Sequence, residues 1–291
     1  MWSPRSPTSS TRCTTGANKT SSPGRPASSG ATVSSIDTLP SGEVRIEYLT
    51  SPEIGRAVTA GYRTAILPLA AIEQHGSHLP LSMDADHADE LAILIARRLG
   101  DALVLPTVRV GYSPHHLEFA GTLSLRASTL ESICVDYTAH LAEHGFERVI
   151  LFSGHIGNYS VMRDFESRLQ QQLAPLAVIV FTDAAAILDT WRLCAARVAG
   201  LGENVGGHAD IAETSVMLVL DPEKVRSERF MPGHPVGADR TIVDAAMRDG
   251  IHSVSPNGIL GDPTGSCAAI GTACLETVSA LIADYARERG A

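Results

Sequence analysis

Short apolar runs alternate with amphipathic stretches from about residue 45 onward, and this alternation limits the possible folds more than any other feature. Continuous apolar runs of this length are typical of strands buried on both faces of a parallel sheet. Strands are predicted at 64–70, 102–106, 147–153 and 176–182, and helices near 85–99, 127–144 and 158–173. Because strands that alternate with helices form βαβ units, we expect an α/β fold with a mainly parallel, doubly wound sheet flanked by helices.

The second predicted helix carries the clearest end signals. Ser128 and Glu131 have the spacing of a capping box, in which each side chain bonds to a free backbone N–H of the first turn. Gly145 follows His144 and is a typical helix stop. The pattern therefore predicts one helix over 127–144.

Residues 1–40 differ from the remainder in composition. They are rich in Ser, Thr, Pro and Gly and contain no acidic residue before Asp37. Such a segment buries too little apolar surface to offset the entropy cost of ordering the chain. We predict a disordered tail, or a start codon assigned upstream of the natural one, followed by a single catalytic domain over 41–291.

Charge, hydropathy and cysteine usage narrow the class of protein. The net charge of −9 argues against a nucleic-acid partner. No apolar run approaches the roughly 18–20 residues that a membrane helix requires. The five cysteines are dispersed and form no CxxC pair, so neither structural zinc nor a disulfide framework is expected. We expect a cytoplasmic protein that acts on a small molecule, without a nucleic-acid or membrane partner.

Polar residues suited to metal binding or catalysis follow several of the predicted strands. They are Glu73, His75, His115, His116, His155 and Asp183. The carboxyl ends of parallel strands face one crevice, which is where α/β folds bind their ligands. These side chains are therefore predicted to converge on one site.

The first cluster comprises Glu73, His75 and Asp84. Carboxylates and imidazoles are the ligands that hold Zn²⁺ or Mn²⁺ in proteins. Glu73 and His75 can point toward neighbouring ions from an extended loop, and Asp84 can bridge from the start of the next helix. The alternative is that Asp84 only caps that helix and His75 is an ordinary loop histidine.

The second cluster is the loop 153–159, between a strand and a helix. His155 is the next candidate metal ligand, and the two glycines of this loop allow its backbone to approach a ligand closely. Asn158 is either the N-cap of the following helix or a contact for the substrate.

The third cluster lies at 207–215 and leads into an apolar helix. Here Glu213 is predicted to face the metals and His208 to shuttle a proton, although His208 taken alone is an ordinary loop histidine. A long irregular loop at 111–122 is predicted to contact the substrate, with Tyr112 and His116 as its candidate residues.

Five motifs occur in order between about Glu43 and the end of the chain. They are EQHGxHLPL with an Asp eleven residues after the Glu, GYSxxHxxFxGT, GHxGN, HAxxxETS and GxxGDP. In this combination the chain resembles the creatininase family of amidohydrolases. The resemblance implies a layered βαβ fold, two zinc or manganese ions with a bridging hydroxide, and usually a hexamer. It also implies hydrolysis of a C–N bond, other than a peptide bond, in a cyclic amide, formamide or similar small molecule.

Individual residues match the family motifs. Four of them match the family's metal ligands: Glu73, His75, Asp84 and His155. By the same resemblance Asp84 falls at the position that bridges the two ions, and His208 at the proton-shuttling position. Glu213 matches the Glu of the ETS motif, which contributes to the metal site in many members.

Two departures from the family pattern bear on the substrate. Creatininase itself has a Glu two residues after the histidine matched by His155, and Gly157 stands there in this chain. Creatinine is therefore not the predicted substrate, and Glu213 is expected to complete the second metal site. Ile156 replaces the first glycine of the GHGGN loop found in many members, which indicates a specialised substrate.

Two alternatives to a small-molecule amidohydrolase stay open. The same metal ligands suit an enzyme of a biosynthetic or cofactor-maturation pathway that opens a lactone or cyclic ketone or clips a peptide. A catalytically idle binding protein is the other alternative. The presence of Glu73, Asp84 and His155 argues against it.

Overall fold

The computed structural model describes residue 39, residues 42–235 and residues 240–290. Apart from Leu39, the predicted tail over 1–40 lies outside the described residues. Eight helices follow one another in the described chain: α1 Ser51–Thr59, α2 Met83–Leu99, α3 Ala127–Thr138, α4 Asn158–Gln172, α5 Ala184–Ala199, α6 Ile211–Leu220, α7 Arg240–Asp249 and α8 Ala268–Arg289. The strands are β1 Thr64–Leu69, β2 Ala102–Val104, β3 Arg148–Ser153, β4 Ala177–Val180, β5 Val205–His208 and β6 Leu260–Gly261.

Four strands form a parallel sheet in the order β2-β1-β3-β4. Thr64 of β1 pairs with Ala102 of β2 on one side and with Arg148 of β3 on the other. Every residue of β1 is buried, which explains why the strand reads as an uninterrupted apolar run. The predicted α/β fold with a parallel sheet flanked by helices is confirmed.

The strand order places a topological switch point between β1 and β3. The chain passes from β1 through α2 to β2, and then returns through α3 to β3 on the opposite side of β1. Right-handed crossovers put α2 on one face of the sheet and α3 and α4 on the other. In agreement, α2 packs against α6 and α8, whereas α3 packs against α4. The loops that follow β1 and β3 therefore border the crevice where such sheets bind ligands.

A second, antiparallel pair of strands, β5 and β6, lies beside helices α5 and α6. Helix α8 packs against α2, α5 and α6 and so joins this part to the main sheet. A Cβ atom at Gly271 of α8 would lie only 2.0 Å from the carbonyl oxygen of Ser215, so a glycine is required where these two backbones approach. Within the described residues no helix combines the length and apolar character needed to cross a bilayer.

Helix α3 differs from its prediction at both ends. It begins at Ala127 after Arg126, without a side-chain cap, and it ends at Thr138 rather than near His144. The capping-box prediction is wrong because the Glu131 carboxylate instead accepts two hydrogen bonds from Arg168 of α4, at 2.7 and 2.8 Å. Beyond Thr138 the backbone tightens into turns, with bonds such as Leu141 N–H to Thr138 O at 3.1 Å.

Candidate active site

The loop after β1 brings the first cluster together. Gly76 adopts a φ of 64°, in the left-handed region, and a Cβ atom there would lie 2.8 Å from the Ile259 side chain. This turn folds Glu73 and His75 inward, and both side chains are completely buried. Asp84 follows in the first turn of α2, whose N-cap residue is Ser82. The alternative that Asp84 only caps this helix is therefore wrong.

Asp84 lies between two imidazoles. Its Oδ1 atom is 3.3 Å from His75 Nε2, and its Oδ2 atom is 3.3 Å from His155 Nδ1. Glu73 Oε1 also lies 3.3 Å from His155 Nδ1, while Glu213 Oε2 lies 3.6 Å from His75 Nε2. The carboxylate of Asp84 therefore joins two neighbouring groups of ligand-type atoms.

Three buried atoms of this cluster have no hydrogen-bond partner: Glu73 Oε1, His75 Nε2 and Asp84 Oδ2. The second oxygen of Glu73 accepts a short hydrogen bond from Ser113 Oγ. Buried polar atoms are normally paired, so three unpaired atoms in one cluster require an explanation. Bound divalent cations would satisfy them, and the donor set of imidazole and carboxylate suits Zn²⁺ or Mn²⁺. The residues therefore fit the metal centre that the motifs imply.

Backbone carbonyls orient three of the histidines. His75 Nδ1 lies 3.2 Å from Glu73 O, His155 Nε2 lies 3.3 Å from Tyr112 O, and His208 Nε2 lies 2.8 Å from Gln74 O. A carbonyl oxygen can only accept, so each of these nitrogens carries a hydrogen. The other ring nitrogen is then the one that faces the carboxylates, and it can bind a metal once its imidazole is neutral.

The carboxylates govern protonation of this cluster. Burial alone would lower the pKa of His75, but Asp84, Glu213 and Glu73 outweigh burial and raise that pKa to about 10. Burial would also lower the pKa of His155, but Glu73 and Asp84 outweigh burial and raise that pKa well above its usual value. A cation that binds here therefore displaces protons from the imidazoles.

His208 and His116 are neutral, in contrast. Burial and the neighbouring His75 hold the pKa of His208 well below its usual value, and burial and His208 do the same for His116. The free lone pair of His208 Nδ1 lies 3.7 Å from Glu73 Oε1. A neutral imidazole so placed can accept a proton from the site and return it.

A tight turn between β5 and α6 positions His208 and Glu213. The Asp210 carboxylate accepts hydrogen bonds from the backbone N–H groups of Gly206 and Gly207 and, as N-cap of α6, from those of Ala212 and Glu213. Ala209 has a φ of 53°, and its N–H donates to Glu213 Oε2 at 2.5 Å. Sequence reasoning missed Asp210, although an Asp directly before an apolar helix is a typical N-cap signal.

The cluster opens into a cavity of about 610 Å³, a volume that includes space open to solvent. Asp84, His115, His116, His155, His208 and Glu213 contribute polar atoms to its wall. Its apolar side chains are Ile156, Leu188, Ala246, Met247, Ile251 and Leu260. In the described part of the chain, no lysine or arginine lines the cavity.

Not all of the predicted residues reach the cavity. Asn158 is fully buried, and its amide bonds to Tyr112 N, Ala70 O and Ser153 Oγ at 2.8–3.0 Å. The N-cap of α4 is Gly157, so the N-cap alternative for Asn158 is wrong. His116 lines the cavity, but Tyr112 and Asn158 do not, and their contact with substrate stays a prediction.

Asp183 also lies elsewhere than expected. It is exposed, and its Oδ1 atom accepts a hydrogen bond from Ala186 N at the start of α5. The side chain therefore serves as a helix cap and does not join the other residues that follow strands.

Glu213 groups with His75 and Asp84 in one set of ligand-type atoms. That it completes a second metal site in the absence of a carboxylate at Gly157 stays a prediction. A Cβ atom at Gly157 would lie 2.2 Å from His155 Nε2 and 2.7 Å from His115 Cε1. Sequence reasoning placed His115 among the converging residues without giving it a role. The structure groups it with Glu73 and His155.

Comparison with known proteins agrees with this geometry. The chain is 31% identical over 216 residues to the mycofactocin precursor peptide peptidase of Mycobacterium ulcerans (strain Agy99), covering 71% of this chain and 77% of that protein. It is 30% identical over 203 residues to the creatinine amidohydrolase of Pseudomonas putida, covering 66% and 77% respectively.

Solved structures of creatininases share the fold. One creatinine amidohydrolase (creatininase) superposes with a TM-score of 0.71 at 27% identity, covering 86% of this chain and 99% of that one. A creatininase described as the Mn form superposes with a TM-score of 0.63 at 28% identity, covering 84% and 98%. The sequence model of the family described as "Creatininase: Creatinine amidohydrolase" matches residues 47–286. The chain therefore belongs to the creatininase family and is a hydrolase of that family.

Proposed function

We propose that this protein hydrolyses an amide C–N bond with the help of two divalent metal ions. The observation that carries the proposal is the position of Asp84, with one carboxylate oxygen 3.3 Å from His75 and the other 3.3 Å from His155. Around it lie buried polar atoms without hydrogen-bond partners, and Asp84, His155, His208 and Glu213 line the adjoining cavity.

Two overlapping sets of residues are proposed as ligands. His75, Asp84 and Glu213 form one set, and Glu73, Asp84 and His155 form the other, so that Asp84 bridges. Mixed nitrogen and oxygen donors accept either zinc or manganese. Solved relatives in the family include a Mn form and a Zn-Zn form.

The residues of the chain supply orientation and proton transfer. Two bound divalent ions would activate water and polarise the amide carbonyl of the substrate. His208 Nδ1 has its lone pair free, because Nε2–H is held by the Gln74 carbonyl. We propose that this nitrogen takes a proton from the attacking water and delivers it to the departing nitrogen.

We propose a substrate class that includes peptides, in line with the alternative of an enzyme that clips a peptide. Restriction to C–N bonds other than peptide bonds is not supported, because relatives at 30–32% identity are named as peptide peptidases. Apolar side chains such as Ile156, Leu188 and Met247 line the cavity, and among the described residues no cationic side chain does. We therefore propose a neutral amide next to an apolar group, in a small molecule or a peptide.

Assembly and location stay predictions. We propose a homo-oligomer, a hexamer by the family resemblance, and the exposed apolar side chains Tyr48 and Leu193 are consistent with buried subunit contacts. Analytical ultracentrifugation tests this proposal. We also propose a cytoplasmic location and the absence of nucleic-acid and membrane partners.

The test of the function combines metal content with activity. We expect purified wild type to hold about two equivalents of zinc or manganese and to hydrolyse members of a panel of formamides, cyclic amides and blocked dipeptides. His155→Ala should lose metal and activity together, whereas His208→Ala should keep the metals and lose turnover. His140→Ala is the matched control, because the His140 side chain is 71% exposed and belongs to neither ligand set. Metal-free wild type after reconstitution, or full turnover in His208→Ala, contradicts the proposal.

A further inference from the structure

We infer that Ile156 determines which substrates fit, because its side chain separates the active-site cavity from a second, inner cavity. The active-site cavity is the one of about 610 Å³ that Asp84, His155 and His208 line. By closing the way into the inner cavity, Ile156 limits the length of the apolar group that a substrate can place beside His155. The inference rests on the proposed function and narrows its substrate class to amides with a short apolar group.

The inner cavity has a volume of about 250 Å³, which includes space open to solvent. The loop after β3 and helices α2, α4, α5 and α8 form its wall, to which the following side chains contribute: His87, Leu91, Ile156, Tyr159, Ile187 and Trp191. Of the described residues that line the two cavities, Ile156 is the only one that belongs to both walls. Its side chain therefore lies at the boundary between them.

Neighbouring residues of two helices divide between the two cavities. In α2, Asp84 lines the active-site cavity, and His87, three residues later, lines the inner cavity. In α5, Leu188 lines the active-site cavity and Ile187 lines the inner cavity. The two cavities therefore lie next to each other along both helices, with Ile156 between them.

Hydrogen bonds hold the loop that carries Ile156. Ser153 Oγ donates to His155 O at 2.9 Å and accepts from His155 N at 3.0 Å. Tyr159 N donates to Ile156 O at 3.0 Å. The Ile156 side chain is partly buried and packs against the main hydrophobic core. Because a β-branched side chain has few accessible χ1 rotamers, we expect it to stay at the boundary when a substrate binds.

Acrylamide quenching of Trp191 fluorescence tests the boundary without any turnover. The chain has two tryptophans, so Trp2→Phe in every protein leaves Trp191 as the only fluorophore. Trp191 lines the inner cavity and is 1% exposed, so quenching should be weak when residue 156 is isoleucine. Ile156→Ala should raise the Stern–Volmer constant severalfold, because acrylamide can then pass from the active-site cavity into the inner cavity.

Two further variants make the quenching result specific. Ile187→Ala is the matched control, because Ile187 lines only the inner cavity and its truncation enlarges that cavity without opening the boundary. It should leave the Stern–Volmer constant unchanged. Ile156→Val removes a single methyl group and should give an intermediate constant, even if the alanine variant folds poorly. Equal quenching in the parent protein and in both Ile156 variants overturns the inference.

Two substrate series of increasing apolar length test the consequence for specificity. They are unbranched amides from formamide to octanamide, and blocked dipeptides that carry alanine, norvaline or norleucine. In wild type, kcat/KM should fall by about tenfold for each methylene group beyond the limit that Ile156 sets. Ile156→Ala should move that limit to longer groups, whereas Ile187→Ala should keep the wild-type limit.

The outcomes separate this inference from the proposed function. If wild type turns over these amides and the Ile156 variants keep both their metal content and the wild-type limit, the inference is overturned and the proposed function stands. If wild type with its metals turns over no amide or dipeptide, the proposed function is overturned together with the substrate limit. The quenching experiment then still decides whether Ile156 separates the two cavities.

Discussion

Gln74 connects the loop after β1 to His116 and His208, the two neutral histidines. Its backbone carbonyl accepts from His208 Nε2 at 2.8 Å. Its side-chain nitrogen lies 2.8 Å from His116 Nδ1 and 2.9 Å from His208 Nε2, and it donates to Gly258 O at 3.0 Å. Its side-chain oxygen accepts from Gly76 N at 3.0 Å. Only a side chain that both donates and accepts can satisfy all of these partners.

We predict that Gln74→Glu lowers kcat by about 10- to 100-fold while the metal content stays unchanged. A carboxylate has the same size but cannot donate to His116 Nδ1, so His116 should change its tautomer and His208 should lose its fixed orientation. Nitrogen-15 NMR of labelled histidines reports the tautomers directly. Wild-type tautomers together with wild-type kcat would show that Gln74 does not position these rings.

His87 is a buried histidine of α2 that makes the stability of the fold sensitive to acid. It is almost completely buried, and neither ring nitrogen has a hydrogen-bond partner. Burial lowers its pKa to about 4, from 6.5 in the unfolded chain. Between these values the unfolded chain binds a proton that the folded chain does not bind. The free energy of unfolding therefore falls as the pH falls below 6.5, by about 1.4 kcal/mol per pH unit for this group.

We predict that His87→Leu makes the free energy of unfolding less sensitive to acid. Between pH 6.5 and pH 4, the window set by the two pKa values, that free energy should fall by about 3 kcal/mol less in the variant than in wild type. Urea unfolding of metal-free wild type and variant at several pH values measures the difference between their free energies of unfolding. That difference should shift in favour of the variant as the pH is lowered. Parallel curves over this range would mean that His87 does not titrate as its burial requires.

At the scale of elements, the turn from β5 to α6 depends on one carboxylate. Asp210 is fully buried and accepts four backbone N–H groups, two from the glycines before it and two from the first turn of α6. These bonds hold Ala209 in its left-handed conformation, and Ala209 in turn donates to Glu213. The carboxylate therefore supports the positions of His208 and Glu213 together.

We predict that Asp210→Ala lowers the free energy of unfolding by at least about 3 kcal/mol, because it leaves several buried N–H groups without partners. Asp210→Asn is the graded control. Its amide oxygen can still cap α6, but its NH₂ group cannot accept from Gly206 or Gly207, so it should recover only part of the loss. Urea unfolding in the presence of chelator separates this effect from metal binding. Equal stability of the alanine variant and wild type would contradict the role.

The elements differ in how far local sequence predicts them. Strands β1 and β3 could be predicted because burial on both faces makes them apolar without interruption. The ends of α3 could not, because Glu131 bonds to Arg168 of α4 rather than to its own first turn, and this is a long-range contact. The motifs predicted most of the side chains that converge on the site, whereas the close approach of His115 and Gly157 depends on two loops that meet only in the fold.

On the scale of the whole molecule, the site gathers three carboxyl groups at the switch point of the sheet. Glu73, Asp84 and Glu213 are almost completely buried, and they come from the loop after β1, from α2 and from α6. In the absence of a cation their partners are mainly the imidazoles, held in the protonated state. Cations bound by these carboxylates would therefore join elements that pack against both the main sheet and the β5–β6 pair.

We predict that metal binding raises the melting temperature of the whole domain. At metal concentrations about 100-fold above the dissociation constant, each occupied site adds about 2.7 kcal/mol to the free energy of unfolding. For a domain of this size that corresponds to about 5–10 °C per site. Differential scanning calorimetry of chelator-treated protein, before and after addition of zinc or manganese, measures the shift. His155→Ala, which is expected to lose its metal, should show little or no shift, and His140→Ala should show the full one. A melting temperature that does not change while two equivalents bind would mean that the ions also bind the unfolded chain, and that the site does not tie these elements together.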